Sequence, residues 1–296
     1  MLDSLAKIVW FDLFDYPLTL LELGKEPDLK LLSWVTSTQG FYCLKGREGI
    51  IRTRLQRATL AHAKYKKAHR AASIFALLPF VRMVAIGNTL GYNNARQESD
   101  IDFFVVAKEG HIFLVRFLTT LIAKLFRWRP TLHHKQDTIC LSFFVSDNAL
   151  NLQAIQDPQL VNTWPYDIYL RYWITQLTLL YDSYQCYERF IKENAWVHNM
   201  LPQAHARITV ARGTIALGTF QQGIKNVGEW FLKMRTLEYW LEEFQRNRLP
   251  LSLQEKVGHG TGVVINSSML KLHDHDKRAW FAKEFLQRYE KLAKTF

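Results

Sequence analysis

The amino-acid sequence predicts an α+β fold in which a small mixed sheet lies between an N-terminal cap and a C-terminal helical domain. Apolar strands are predicted over residues 82–86, 100–107 and 138–146, with helical patterns before the first strand and over 111–127. Strands interleaved with helices predict a sheet covered by helices, here over residues 71–150. Residues 1–70 form the predicted cap, and residues 151–296 read as helical and rich in aromatic side chains.

Two carboxylates open the second predicted strand. Asp100 and Asp102 are two residues apart, so a strand places both on one face. Like charges held this close are costly unless a cation neutralises them, and Mg²⁺ suits an all-oxygen site. The first strand runs into Gly87 and Asn88, and a glycine turn lets backbone N–H groups approach a phosphate. A phosphate site beside a carboxylate pair for Mg²⁺ is the minimum that phosphoryl or nucleotidyl transfer requires.

These residues resemble the signature of the nucleotidyltransferase superfamily, the group related to polymerase-beta and small bacterial antibiotic nucleotidyltransferases. There a Gly-Ser or Gly-Gly pair and a spacer precede Asp-apolar-Asp/Glu-apolar. The matching segments here are Ile86-Gly87, the spacer Thr89 to Ser99, and Asp100-Ile101-Asp102-Phe103. The resemblance implies a nucleotidyltransferase core in which Asp100 and Asp102 are catalytic and bind Mg²⁺, with room for a two-metal site.

A second resemblance, to a group of bacterial nucleotidyltransferase-domain proteins, spans roughly residues 8 to 200. It rests on the following segments: Phe14-Asp15-Tyr16-Pro17-Leu18-Thr19, Gly40-Phe41-Tyr42 and Gly46-Arg47-Glu48. This resemblance implies an architecture and brings no substrate with it.

Two positions depart from the superfamily's pattern. Asn88 stands where Ser or Gly is usual, so the left-handed turn is kept while a small hydroxyl is lost. Active members also carry a third acid on a later strand, which here matches residues 138–146. Strict alternation puts Cys140, Ser142 and Phe144 on one face of that strand, and Ile139, Leu141, Phe143 and Val145 on the other. Neither face offers an acid, and Asp137 and Asp147 stand only at the strand's ends.

Several neighbouring residues are candidates for contacts with a nucleotide. Backbone amides of Gly87 and Asn88 are expected to hold the β and γ phosphates. The spacer contributes Ser99 and Arg96, whose guanidinium can reach phosphate oxygens, and Lys108 follows the acidic strand. The alternative for Arg96 and Lys108 is that they are simply solvated loop cations.

Composition sets the class of protein and of partner. Of 296 residues, 48% are hydrophobic, which is too apolar for a disordered chain. The net charge of +11 favours polyanionic partners such as nucleic acid or nucleotide phosphates, or reflects ordinary basic solubility. Three cysteines without paired spacing and the lack of a signal pattern predict a reducing cytoplasm. The apolar run from Ile112 to Trp128 contains basic residues and predicts a packed helix, so no membrane partner is expected.

The predicted cap has helices over 3–13, from Thr19 to Leu23 and over 28–35, followed by a strand at 40–44. This order resembles a winged-helix module, and the alternative is a helical lid on the core. The segment from Lys45 to Arg70 carries nine basic residues against one acid and favours a long helix. Its basic residues either contact a nucleic-acid backbone or solvate one face of the helix.

The C-terminal half is expected to use its aromatic residues, such as Tyr169 and Trp173, mainly for core packing. Helices are predicted over 227–246 and 277–292, joined through a glycine-rich connector at 258–262. The run from His273 to Asp276 is read as a helix start rather than a metal site.

The sequence thus predicts Mg²⁺-dependent transfer of a nucleoside monophosphate from an NTP to a hydroxyl of an unidentified acceptor. The alternative is a catalytically weakened protein that senses a nucleotide and binds nucleic acid. The missing third acid favours the alternative, whereas the intact Asp-x-Asp favours the enzyme.

Overall fold

The computed structural model describes residues 3–28, 31, 33–131, 134–201 and 213–294. Its helices are α1 (Ser4–Asp12), α2 (Leu20–Leu23), α3 (Ile50–Leu77), α4 (Asn88–Gly91), α5 (Ile112–Leu125), α6 (Ile168–Thr175), α7 (Cys186–Glu193), α8 (Thr219–Leu232), α9 (Arg235–Arg246), α10 (Leu251–Gln254) and α11 (Arg278–Ala293). Its strands are β1 (Leu18–Thr19), β2 (Val35–Thr38), β3 (Phe41–Leu44), β4 (Val81–Ile86), β5 (Ile101–Ala107), β6 (Ile139–Ser146), β7 (Thr178–Asp182), β8 (Val263–Ile265) and β9 (Met269–Leu272).

A six-stranded mixed sheet forms the centre, in the order β7-β4-β5-β6-β9-β8. Strands β5 and β6 run parallel, and the other neighbouring pairs are antiparallel. The expected α+β class is confirmed, and β4, β5 and β6 begin within one residue of their predicted positions. These strands are continuous apolar runs because helices cover both faces of the sheet.

The expectation of an entirely helical segment over 151–296 is corrected by this sheet. Strands β7, β8 and β9 come from that segment and pair with β4, with each other and with β6. They are three to five residues long, too short for period-2 alternation to distinguish them from helical turns. The helix predicted over 227–246 is also two helices, α8 and α9, which are interrupted after Leu232.

Helices α3 and α5 cover one face of the sheet. Alanines on α3 let its backbone approach β4 closely, and they include Ala61, Ala68, Ala72 and Ala76, all buried. Residues of α6 and α7 pack on the other face, against Phe104 and Phe143. Because α3 continues from Ile50 to Leu77, it joins the cap to the core across the boundary expected near residue 70.

The N-terminal cap carries a small antiparallel sheet in the order β1-β3-β2. Thr19 caps α2 in a reciprocal pair with Glu22, as the sequence predicts. The helix expected over 28–35 falls partly outside the described residues, and Val35 already belongs to β2.

Helix α1 packs on α6 and α11, so the two ends of the chain share one core. The Trp10 ring stacks on Tyr172 with a centroid separation of 5.9 Å, and Phe285 meets the Trp10 ring edge at the same separation. Within the described part of the chain, no helix combines the length and hydropathy needed to cross a bilayer.

Phe285→Ala is expected to lower the free energy of unfolding by about 3–5 kcal/mol, because the fully buried ring leaves a cavity between α1 and α11. Gln287→Ala, exposed on the same helix, is the control and is expected to change it by less than about 0.5 kcal/mol. Urea unfolding measures both variants. Equal effects would show that the ends of the chain do not share a core.

Candidate metal and nucleotide site

The site begins where β4 ends in a glycine turn. The Gly87 N–H donates to the Asp102 carbonyl at 3.1 Å, which fixes the turn against the start of β5. A Cβ at Gly87 would lie 2.9 Å from Nε1 of Trp173, so the close approach of the indole requires glycine. Asn88 follows with φ of 52°, the left-handed conformation that asparagine tolerates.

Three potential metal ligands converge beside this turn. A carboxylate oxygen of Asp100, one of Asp102 and the Cys140 Sγ all lie within 4.8 Å of one another, and all three residues are half-buried. Register explains the convergence, because Asp102 on β5 faces Cys140 on the parallel strand β6. The expected closeness of the two carboxylates is confirmed, and Cys140 is a member that the sequence reading missed.

A β-bulge in β6 changes which side chains face the site. Asp102 pairs with Cys140 and Phe104 pairs with Phe143, so β6 contains one extra residue between these positions. Phe143 therefore shares the face of Phe104, and Phe144 packs on the opposite face under α3. Strict alternation predicted the reverse, so that assignment of the two phenylalanines is wrong.

Burial is the first cause of the electrostatics at the site. It raises the pKa of Asp102 to about 6, and the charge of Asp100 acts in the same direction. Hydrogen bonds from the side chains of Asn88 and Cys140 partly oppose that rise in the pKa of Asp102. Burial also raises the pKa of Asp100, whereas the nearby cations Lys135 and Lys64 lower it. The pair therefore favours the arrival of positive charge.

Lys64 on α3 ties together the segments that carry the site. Its ammonium, 4% exposed, donates to the carbonyls of Gln97 and Ser99 at 3.0 and 2.6 Å and to Asp137 Oδ1 at 2.6 Å. Asp137, the residue that the sequence offered as a substitute acid, is thus held in an ion pair with α3. Asp147 lies at the far end of β6, where its carboxylate accepts from the Glu109 N–H.

The other predicted nucleotide contacts are placed differently. Asn88 lies at the site and hydrogen-bonds to Asp102. The Ser99 hydroxyl donates to the Arg96 carbonyl at 2.9 Å, and the Arg96 side chain is exposed in the spacer loop. Lys108 lies beyond the opposite end of β5, six residues from Asp102, or about 20 Å along an extended strand. The structure does not bring Lys108 to the carboxylates.

A cavity of about 230 Å³ opens beside Asn88, on the sheet face that carries Asp102. One wall is aromatic and consists of Phe143, Tyr169, Trp173 and Phe281. The rest of the lining is polar and includes Lys271, His273, Asp276 and Arg278, which we call the polar wall. Burial raises the pKa of the Tyr169 hydroxyl, and the charges of Tyr92, Asp102 and Asp276 reinforce that rise.

The cavity was not expected from the sequence. Tyr169 and Trp173 pack against the hydrophobic core, as the sequence predicts, and both are half-buried and also line the cavity. The run from His273 to Asp276 precedes α11, as predicted, and it also supplies the polar wall. The two cations of the polar wall already have partners in the protein. Arg278 Nη1 donates to Asp167 at 2.9 Å, and Lys271 Nζ donates to the Thr261 carbonyl at 2.6 Å. The dense charge in this run was the sequence feature that could have indicated the polar wall.

Part of the basic segment from Lys45 to Arg70 is used inside the molecule. Arg47 pairs with Asp12 and Asp15, Arg54 with Glu22, Arg57 with Asp15, and Lys64 with Asp137. Arg52, Lys66 and Arg70 are exposed, and helical spacing places these three on one face of α3. The segment is therefore in part a structural clamp.

Comparisons of the chain with models of protein families, with curated proteins and with solved structures found no match. The relation to the nucleotidyltransferase superfamily accordingly stays a prediction from the motif.

Without divalent ions, Asp102 is expected to contribute less to the free energy of unfolding as the pH rises from about 4 to about 6, whereas His111 and His273, whose pKa is lowered by burial to about 4, contribute more over the same range. The native state holds the Asp102 proton up to a pKa of about 6, whereas an unfolded aspartate releases it near about 3.9. Protonation of Asp102 thus stabilises the fold below that window, by roughly 3 kcal/mol.

Urea unfolding across this pH range, in wild type and in Asp102→Asn, measures the effect. The free energy of unfolding of the wild type minus that of Asp102→Asn is expected to fall as the pH rises through this window, because the contributions of the two histidines are common to both proteins and cancel. A difference that stays constant or rises over the same window would contradict the assignment.

Proposed function

We propose that this protein is a divalent-metal-dependent nucleotidyltransferase that moves a nucleoside monophosphate from an NTP to a hydroxyl of an acceptor. The observation that carries the proposal is the close pair Asp100 and Asp102 beside a glycine turn, against which packs Trp173, a residue that also lines the aromatic cavity. The donors fit a metal ion, because two half-buried carboxylates a few ångströms apart repel each other until a cation joins them.

An ion held by Asp100 and Asp102, Mg²⁺ when the carboxylates act alone, would neutralise charge on the triphosphate. Asn88 orients the Asp102 carboxyl through its hydrogen bond, and Lys135 adds positive potential close to Asp100. The half-buried rings of Tyr169 and Trp173 offer a surface on which a nucleobase stacks. The acceptor oxygen attacks the α-phosphorus, the bond between the α-phosphorus and the pyrophosphate oxygen breaks, pyrophosphate leaves, and the proton of the acceptor hydroxyl passes to solvent.

A second candidate function is a nucleotide-sensing protein that binds nucleic acid. Two observations favour it: Cys140 stands where the superfamily would place its third acid, and an exposed basic face lies on α3. The cap adds support, since the element order α1-β1-α2-β2-β3 with a β1-β3-β2 sheet is compatible with a winged-helix module.

One experiment distinguishes the two candidate functions. The protein is incubated with α-labelled NTPs, divalent ions and a lysate fraction containing small molecules, RNA and proteins. Covalent label on any acceptor supports the transferase. Salt-sensitive retention of nucleic acid without covalent label supports the binding protein instead.

Asp100→Asn combined with Asp102→Asn is expected to abolish metal-dependent NTP binding while the chain stays folded, because the ion's ligands are lost and a repulsive pair is removed. Titration of a fluorescent NTP with and without divalent ions measures the affinity, and circular dichroism checks the fold. Asp147→Asn, at the far end of β6, is the matched control and is expected to bind as wild type does. Unchanged metal-dependent affinity in a folded double variant would refute the proposal.

For the second function, Arg52→Gln, Lys66→Gln and Arg70→Gln together are expected to weaken nucleic-acid binding and to reduce its salt dependence by up to about three units of slope. Lys124→Gln, Lys192→Gln and Lys283→Gln remove the same charge from exposed sites on α5, α7 and α11. Fluorescence anisotropy with labelled RNA and DNA at several salt concentrations compares the two sets. Equal loss in both sets would exclude α3 as the contact surface.

A further inference from the structure

The third donor at the site is a thiol, and this bears on which ion the site takes. Cys140 stands opposite Asp102 on the neighbouring parallel strand, so the backbone hydrogen bonds of the sheet hold its Sγ near both carboxylates. Asp102 and Cys140 come from two adjacent strands of the central sheet, and Asp100 lies directly before the first of them, so the sheet is a rigid support for a metal centre.

Thiol and carboxylate donors select different metal ions. Mg²⁺ requires an octahedral shell of oxygen ligands, and a sulfur atom among them weakens its binding. Zn²⁺ accepts sulfur, nitrogen and oxygen, and catalytic zinc sites use three protein ligands with one open position. Two carboxylates and one thiolate meet that count.

The geometry is close to what zinc needs. Ligand bonds of about 2.0–2.3 Å in a tetrahedron bring donor atoms to about 3.5 Å from one another. The donors here lie within 4.8 Å, so rotations of the three side chains complete the shell.

Polar neighbours already orient two of the three donors. Asn88 hydrogen-bonds to the Asp102 carboxyl, and the Ser142 hydroxyl lies 3.3 Å from the Cys140 Sγ. Such outer partners fix the direction of metal ligands. Asn88 also lines the cavity, so the proposed metal site adjoins the space proposed for the nucleotide.

We infer that Asp100, Asp102 and Cys140 form a three-ligand site for a thiophilic divalent ion of the zinc class, in preference to Mg²⁺. The inference rests on the proposed function, because it names the ion at the site proposed there. Binding forms a metal–sulfur bond, and the thiol proton is released to solvent.

Co²⁺ is the probe, because it occupies zinc sites and reports on sulfur ligands by absorption. The wild-type protein titrated with Co²⁺ is expected to show a thiolate-to-cobalt charge-transfer band in the near ultraviolet, which Zn²⁺ removes and excess Mg²⁺ does not. Cys140→Ser is expected to abolish the band and to weaken Zn²⁺ binding by about 100-fold or more. Cys186→Ala, which removes a buried cysteine at the start of α7, is the control and is expected to keep both the charge-transfer band and the Zn²⁺ affinity of the wild type.

A further variant covers the case in which Cys140→Ser misfolds. Cys140→Asp supplies a third carboxylate and is expected to invert the preference, so that Mg²⁺ competes with Co²⁺ at this site. Co²⁺ bound without the charge-transfer band, or Zn²⁺ affinity unchanged in a folded Cys140→Ser variant, would overturn the inference.

These readouts need no nucleotide, so they separate the two conclusions. A thiolate-bound ion without label transfer would leave the metal site standing and refute the transferase. Label transfer that depends on Mg²⁺ and survives Cys140→Ser would support the transferase and refute the zinc-class site.

Discussion

The buried ammonium of Lys64 is the contact on which the arrangement of the site depends. It holds two carbonyls of the spacer loop and the carboxylate of Asp137, and so it connects α3, the loop that leads into β5 and the residues that precede β6. A buried ammonium with three acceptors repays its desolvation, whereas the same group without them would not. Because Asp100 follows directly on Ser99, and Cys140 comes three residues after Asp137, the contacts of Lys64 constrain the distance between these two side chains.

The same contact explains why the site lacks a third carboxylate. Asp137 is the acid that lies nearest in sequence to the start of β6, and its ion pair with Lys64 directs it toward α3. Residue 140 is the first position on β6 that faces Asp102, and it is a cysteine. The side chain of Cys140 therefore decides which donor β6 presents to Asp102, since the nearby Asp137 serves a structural role in its ion pair with Lys64.

The central strands could be predicted from the sequence because β4, β5 and β6 are continuous apolar runs bounded by turns. The carboxylate pair could also be predicted, since a spacing of two fixes the face in any strand. The bulge in β6 could not, because it depends on the register with β5, so the faces of Phe143 and Phe144 were exchanged. The cavity was missed for a similar reason: half-buried aromatic residues on α6 follow the same spacing as core residues.

The short strands of the C-terminal half depend on partners that precede them far back in the chain. Strand β7 completes one side of the sheet on β4, and β9 completes the other on β6. Strands β4, β5 and β6 are therefore synthesised before β7 and β9, and the outer edges of β4 and β6 stay unpaired until those later strands are made. Such long-range pairing slows folding and prolongs the exposure of aggregation-prone edges, so we expect nascent chains of this protein to require chaperones.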